Sequence, residues 1–288
     1  MKKILVTGAN GQLGSEINAI SRNLSGYEFV FATRENFSLE DSFYISEYLE
    51  HLQPDIIINC AAYTAVDKAE TDKAAAEAVN HTAVEAMAKY CFKKNSNLLH
   101  ISTDYVFNGN SAKALDENAA VAPINFYGES KLRGEEAAMR ENPTSIIIRT
   151  AWVYSEFGNN FVKTMMKLMN ERDSLNIVND QIGSPTYAGD LAKAILKIID
   201  SGVWHPGMYH YSNKGEISWY DFAKDIKELA NLNCELTGIP TTAYPTPAKR
   251  PAFSLLNTKK ISETYQVEIP FYKDSLQKVI QKLQSNKN

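Results

Sequence analysis

The chain has 288 residues, of which 44% are hydrophobic and 22% charged, which is enough apolar material for a sizeable core and the mix of a globular protein. Thirty basic residues stand against thirty-four acidic ones for a formal charge of −4. With no long basic tract this argues against nucleic-acid binding and leaves room only for a local anion pocket. Apolar residues run only from Ile4 to Val6 before the chain reaches Gly8, too short for a signal-peptide core. No later stretch has the length of a membrane span, so no membrane association is expected and the expected location is the cytoplasm. Cys60, Cys91 and Cys234 are scattered without CxxC spacing and read as free thiols of a reducing compartment. The histidines show no ligand spacing, so no metal is expected.

In chain order, Lys3–Thr7 reads as a short strand, Gln12–Ser21 as a helix, Glu28–Ala32 as a strand and Ser42–His51 as a helix. The strand Asp55–Asn59, one long alanine-rich helix over Asp72–Lys93, the strand Asn97–Ile101, the helix Tyr127–Arg140 and the strand Ser145–Arg149 follow. Apolar runs without polar alternation mark strands covered on both faces, hence a parallel sheet with crossover helices. The predicted class is α/β, a Rossmann-type doubly wound parallel sheet with a smaller C-terminal substrate-binding lobe. Residues 1–150 are the expected dinucleotide-binding domain, joined again by a segment around 185–202, and 151–288 mainly form the interleaved lobe. In that second part Asn159–Glu171, Asp190–Asp200, Trp219–Ala230 and Asp274–Leu283 read as helices and Leu175–Val178 as a strand. The prolines at 240, 245, 247 and 251 keep Ile239–Pro251 out of helix. Met165, Met166 and Met169 have helical spacing and read as packing, and Ser285–Asn288 is expected to be disordered.

Gly8-Ala9-Asn10-Gly11-Gln12-Leu13-Gly14 lies between the first strand and the first helix. Glycine permits a tight turn and a close backbone approach to a pyrophosphate, and the free amides of a helix start favour anions. Dinucleotide binding through Gly8, Asn10, Gly11, Gln12, Leu13 and Gly14 follows. At the end of the second strand the residues are Thr33 and Arg34, with no carboxylate before Glu35. An arginine there suits the 2′-phosphate of NADPH, with NADH left open.

Tyr127 and Lys131 stand four residues apart, on one face of a helix. A free phenol titrates near ~10, and a nearby cation favours its ionised form, so the pair can act as a tuned general acid. Ser102, Thr103 and Asp104 sit where the Asn97 strand ends, the edge on which open parallel sheets bind ligands. The Thr103 hydroxyl can hold a carbonyl there; the plain alternative is that Thr103 and Asp104 cap the loop, and the convergence of the glycine loop, this strand end and the Tyr127–Lys131 pair on one edge favours the catalytic reading.

Together GxxGxxG, the strand-end hydroxyl and YxxxK resemble the extended short-chain dehydrogenases/reductases. Asn59–Glu70, Ser102–Phe107, Arg149–Tyr154, Asn179–Thr186 and Tyr244–Pro251 narrow this to a resemblance with the dTDP-4-dehydrorhamnose reductase family, from Met1 to beyond Asn257. The resemblance implies reduction of the C4 ketone of dTDP-4-dehydro-L-rhamnose to dTDP-L-rhamnose by NADPH or NADH. Tyr127 then donates the proton, Lys131 lowers the Tyr127 pKa and binds the nicotinamide ribose, and Thr103 bonds the reacting oxygen or tunes Tyr127. It also implies that Asp104 contacts the sugar, that Trp152 covers it and that Arg250 lies near the diphosphate. Ala61, Ala62, Tyr63 and Thr64 match the loop beside the nicotinamide, and Leu39 packs on the adenine. Ser38 departs from the aspartate often found at that position in such reductases. The implied partner is a dTDP-sugar, and a homodimer is compatible with the pattern.

Three rivals share these motifs: a nucleotide-sugar epimerase or dehydratase, a non-catalytic NADP-binding regulatory subunit, and an NADP-sensing transcriptional regulator. Related dehydratases carry Asp-Glu after the active-site threonine, whereas here Asp104 is followed by Tyr105. The intact Tyr127–Lys131 pair argues against the second rival and the lack of a basic surface against the third.

Overall fold

The computed structural model describes residues 1–22 and 24–285. Six strands make the central sheet: β1 (Lys2–Thr7), β2 (Tyr27–Ala32), β3 (Ile56–Asn59), β4 (Asn97–Thr103), β5 (Ile146–Thr150) and β6 (Gly207–Tyr211). They lie in the order β6-β5-β4-β3-β1-β2 and every pairing is parallel. The order reverses between β1 and β3, and at such a switch point the loops leaving the carboxyl ends of adjacent strands part to opposite faces and open a crevice.

The uninterrupted apolar runs arise because each strand is sandwiched. Ile4, Val6, Ile56, Ile58, Ile146 and Ile148 pack with Leu13 and Ile17 of the Gln12–Ser21 helix and Leu191 and Ile195 of the Ala188–Asp200 helix. The alternate residues Leu5, Ile57, Leu98 and Ile147 face the other way. They meet Ile45 and Leu49 of Ser42–Leu52, Val84 and Met87 of Ala83–Lys94, and Ala138 of Phe126–Glu141. A period of two is therefore present, with apolar side chains on both faces. Towards the carboxyl ends of the strands this second face turns polar, with Thr7, Asn59, His100, Ser102 and Arg149 continuing its parity.

Beyond β5 the chain builds a second apolar cluster from Phe161–Glu171, Trp219–Ala230 and Tyr272–Ser285, with Met165, Met166 and Met169 all buried in it. Ser174–Val178 pairs in parallel with Glu235–Ile239 there. Three later elements return to the large sheet: the Ala188–Asp200 helix, β6 and the short helix Lys259–Tyr265, whose Ile261 and Tyr265 join the first cluster.

Three departures from the sequence reading have physical causes. The alanine-rich helix is broken into Lys73–Glu77 and Ala83–Lys94 by a π-helical turn over Ala78–Thr82. Asn80 in that turn is buried and brackets Tyr63, accepting from its backbone N–H (2.9 Å) and donating to its carbonyl (3.1 Å), and it also donates to Ser130 Oγ (3.0 Å). β6, Gly-Met-Tyr-His-Tyr, was not expected because it has no aliphatic run; register beside β5 makes it a strand. Ser285 ends a helix, while the rest of the expected disordered tail, 286–288, lies outside the described residues.

The Phe126–Glu141 helix starts where its N-cap Asn125 accepts from Gly128 N (2.8 Å), and Glu70 accepts from Phe126 N (2.9 Å). A Cβ on Gly128 would lie 2.2 Å from the carbonyl oxygen of Tyr105, so only glycine lets this helix reach the loop after β4. Gly128→Ala is therefore expected to lower stability by roughly 2–3 kcal/mol, read by urea denaturation. Turnover should fall further than stability alone explains, because the helix start must retreat from that loop.

Candidate active site

A cleft of about 660 Å³ opens at the switch point, a size suited to a small-molecule ligand. Gly8, Gly11, Gln12 and Leu13 form its floor at one end. Gly8 has φ +67, and a Cβ there would sit 2.9 Å from the backbone of Ala61, so the loops after β1 and β3 meet backbone to backbone. Gly11 caps the Gln12–Ser21 helix without a side-chain hydrogen bond, leaving its first amides free to face an anion. These bare amides fit the pyrophosphate of a dinucleotide. Asn10 is exposed and Gly14 is buried against the Gly8 carbonyl, and neither belongs to the cleft wall.

Arg34, Leu39 and Glu40 line the cleft at the end of β2. Arg34 is 85% exposed and ion-paired with Glu40. Asp41, next to Glu40, is occupied as the N-cap of Ser42–Leu52, accepting from Phe43 N and Tyr44 N. Ala61, Ala62, Tyr63 and Thr64 form the wall after β3.

Thr103, Asp104, Tyr127 and Lys131 come together at the centre. Tyr127 is buried and packs edge-on to Tyr105, with ring centroids 5.5 Å apart. Burial pushes its phenol up to about 12, the hydrogen-bonding influence of Thr103 pulls it down and the Asp104 charge raises it. Desolvation thus outweighs the hydrogen-bonding influence of Thr103, and the phenol is held in its neutral form. Lys131 points at β4, donating to the Ile101 carbonyl (2.7 Å) and lying 3.3 Å from His100 Nε2. Burial pushes this ammonium down to about 8, against the opposing pull of Glu135. Asp104 is raised to about 6 by burial, despite the hydroxyls of Ser254 and Thr103. Its Oδ1 accepts from Thr103 Oγ1 (3.0 Å), and Oδ2 is buried on the side where the Ser254 hydroxyl acts on the carboxylate.

Two buried polar contacts hold the Tyr127 helix in register. Besides Lys131, Glu135 one turn further accepts from Ser102 Oγ (2.5 Å) and from Arg149 Nε (2.9 Å) and Nη2 (2.6 Å). Ser102 and Arg149 are cross-strand partners on β4 and β5. The Glu135–Arg149 pair is almost wholly buried, 3% and 5% exposed.

Trp152 lines the cleft after β5 with φ +48, a left-handed conformation rare for a side chain of this size. Its ring stacks on Trp219, centroids 3.6 Å apart and 12° between planes. It is thus an aromatic wall braced from behind rather than a closed core residue, and Trp219 is a supporting residue that the sequence did not single out. Arg250 does not line the cleft. It grips Asp67 with both terminal nitrogens (2.9 and 2.8 Å) and also donates to Thr246 Oγ1 and the Ala248 carbonyl. This pins the proline-rich segment to the Val66–Ala69 helix and holds the Asp67 carboxyl below its usual range. Among the described residues no cluster of His, Cys, Asp and Glu could hold a metal ion, and no helix is long and apolar enough to cross a membrane.

A family model described as the RmlD substrate binding domain matches residues 1–285. The chain is 39% identical to a dTDP-4-dehydrorhamnose reductase of Aggregatibacter actinomycetemcomitans, covering 93% of this chain and 95% of the relative. A crystal structure of a dTDP-4-dehydrorhamnose reductase from Clostridium acetobutylicum superposes with a TM-score of 0.93 at 38% identity, covering 98% of this chain and 99% of that one. Another, from Bacillus anthracis in complex with NADP, gives 0.92 at 35% identity over 98% of this chain and 100% of that one.

Replacing Glu135 by glutamine leaves the Arg149 guanidinium buried without a counter-charge. The expected loss is about 3–5 kcal/mol in chemical denaturation, and the double variant Glu135→Gln/Arg149→Met should recover part of it.

Proposed function

The chain belongs to the dTDP-4-dehydrorhamnose reductase family, and from that membership we propose that it reduces the C4 ketone of dTDP-4-dehydro-L-rhamnose to dTDP-L-rhamnose with NADPH, Tyr127 giving the proton. The observation that carries this reading is the convergence of Thr103, Asp104, Tyr127 and Lys131 in one cleft whose far end is a floor of free helix-start amides.

When bound, the reduced nicotinamide supplies the hydride. The Gly8–Leu13 backbone holds the pyrophosphate, and Ala61–Thr64 flank the nicotinamide side. The protein then has to position the ketone and deliver a proton as negative charge grows on its oxygen. A phenol raised to about 12 stays fully protonated at neutral pH, the state a donor needs in the direction of reduction. Thr103 orients the same oxygen, and the ammonium of Lys131 favours the negative charge left on Tyr127. Asp104 contacts the sugar from the cleft wall, and Trp152 offers it an apolar face. Arg250 acts through the latch with Asp67, shaping the wall, and meets a diphosphate only if that latch yields. The position after Asp104 is Tyr105, which brings no second carboxylate for removal of water, favouring reduction over the dehydratase alternative.

Arg34 is taken to meet the 2′-phosphate of NADPH. Its partner Glu40 offers an acceptor to a ribose diol, which keeps NADH usable. Two of the three cysteines are buried free thiols, in keeping with activity in a reducing cytoplasm.

Tyr127→Phe should lower kcat by roughly 10²–10⁴-fold in an assay of NADPH oxidation with dTDP-4-dehydrorhamnose, while NADPH affinity by fluorescence titration stays near that of the parent. Parental turnover in this variant removes Tyr127 as the donor. Lys131 is charged below about 8 and neutral above it, so kcat/KM should fall with rising pH beyond that value. Tyr127, protonated throughout, adds no second limb in that range. Arg34→Ala should weaken NADPH use by about tenfold relative to NADH, measured as the ratio of the two kcat/KM values.

A further inference from the structure

Thr7, Asn59 and His100 occupy one register row across three adjacent strands, Thr7 opposite Asn59 and Asn59 opposite His100. All three are buried, Asn59 and His100 completely. Thr7 Oγ1 lies 2.6 Å from Asn59 Oδ1, Asn59 Nδ2 lies 2.9 Å from His100 Nδ1, and His100 Nε2 lies 3.3 Å from Lys131 Nζ. At its other end Thr7 Oγ1 accepts from Ala61 N (3.2 Å), in the loop that abuts Gly8. A polar row thus runs beneath the cleft from Lys131 to the seam of the two loops, beside the Ser102–Glu135–Arg149 cluster and beyond the apolar part of this face.

Donors and acceptors can be assigned along this row in two ways, depending on the lysine. With Lys131 as ammonium, Nε2 must offer a lone pair, so Nδ1 carries the hydrogen and the Asn59 amide turns its oxygen to the ring and its NH₂ to Thr7. With Lys131 as amine, Nε2–H donates to Nζ, Nδ1 accepts from Asn59 Nδ2, and Asn59 Oδ1 accepts from the Thr7 hydroxyl. In both arrangements each ring nitrogen and each end of the Asn59 amide finds a partner; the 2.6 Å Thr7–Asn59 contact is an O–H···O distance and so matches the amine arrangement, and with the ammonium the Thr7 hydroxyl serves only as an acceptor. We propose that His100 is a positioning residue for the reduction: a neutral imidazole whose tautomer follows the charge of Lys131, so that the lysine stays seated on β4 in either state. The inference rests on the reading of Lys131 as a functional residue of this cleft.

Burial holds the His100 ring well below the usual imidazole range, with the Lys131 charge adding to the effect, so the ring stays neutral while the lysine titrates. The charged or titratable groups around Lys131 are His100 from β4 and, on its own helix, Glu135 and Tyr127. Glu135 is itself paired with Arg149 from β5, while β1 and β3 contribute the uncharged Thr7 and Asn59.

The first test is nitrogen NMR of the histidine-labelled, unmodified chain, with the His100 signals assigned by their loss in His100→Gln. Between about pH 6.5 and 9.5 the protonated ring nitrogen should change from Nδ1 to Nε2 in step with Lys131, and should not change in Lys131→Met. The second is the pH profile of kcat/KM. His100→Phe removes an acceptor from a buried ammonium, so the alkaline limb should move down by about one unit, whereas His100→Gln, which can still accept, should move it back towards the parent. A ring nitrogen that stays the same across the range overturns the proposal, and so does an unmoved limb in His100→Phe. If that variant does not fold, the NMR measurement still decides. The NMR readout needs no turnover, so failure of the reductase assignment would appear separately, as a Tyr127→Phe or Lys131→Met variant with undiminished turnover.

Discussion

The seating of the Phe126–Glu141 helix on the carboxyl edge of β4 and β5 is the contact from which the rest of the site follows. Lys131 and Glu135 lie one turn apart and engage residues two apart on β4, Ile101 and His100 for the lysine and Ser102 for the glutamate. A helical repeat of four is thereby matched to a strand repeat of two. Tyr127 sits a further turn towards the N-terminus and is carried to the strand end beside Thr103 without a strong tether of its own. Charge burial makes this seating exacting, because an ammonium and a carboxylate removed from water tolerate few alternative arrangements. The aliphatic face of the sheet gives the stability, and the polar row at its edge gives the alignment.

The electrostatics of the centre follow from the same burial. A phenol raised to about 12 and an ammonium lowered to about 8 are both displaced towards their neutral forms. The sequence suggests a simpler picture, with the cation acting on the phenol through their i, i+4 spacing. Spacing states who may meet whom but is silent on desolvation, which dominates here, and on the acceptors that draw Lys131 towards β4 instead.

Much of the framework was legible in the residues alone. Five of the six sheet strands follow from runs such as Ile56–Ile58 and Ile146–Ile148, because burial on both faces leaves no place for polar alternation. The glycine loop and the Tyr127–Lys131 spacing are local patterns, and local patterns survive folding. What stayed hidden depends on strand register or on side chains distant in sequence. Thr7, Asn59 and His100 become neighbours only once β1, β3 and β4 pair. The π-helical turn at Ala78–Thr82 lies in a segment whose alanines suit an ordinary helix, and Asn80 departs from that geometry where it meets Tyr63 and Ser130. The resemblance sets Arg250 near a diphosphate, while its pairing with Asp67, far back in the chain, emerges only from the fold.

The stacked rings of Trp152 and Trp219 bear on how the molecule can be watched. Two indoles 3.6 Å apart and nearly parallel couple their electronic transitions, while the third tryptophan, Trp204, donates its indole N–H to the Thr144 carbonyl elsewhere on the molecule. A ligand that presses on Trp152 must shift one member of the coupled pair against the other. The near-ultraviolet circular dichroism of the unlabelled chain therefore carries a built-in optical gauge of how the mouth of the cleft is filled.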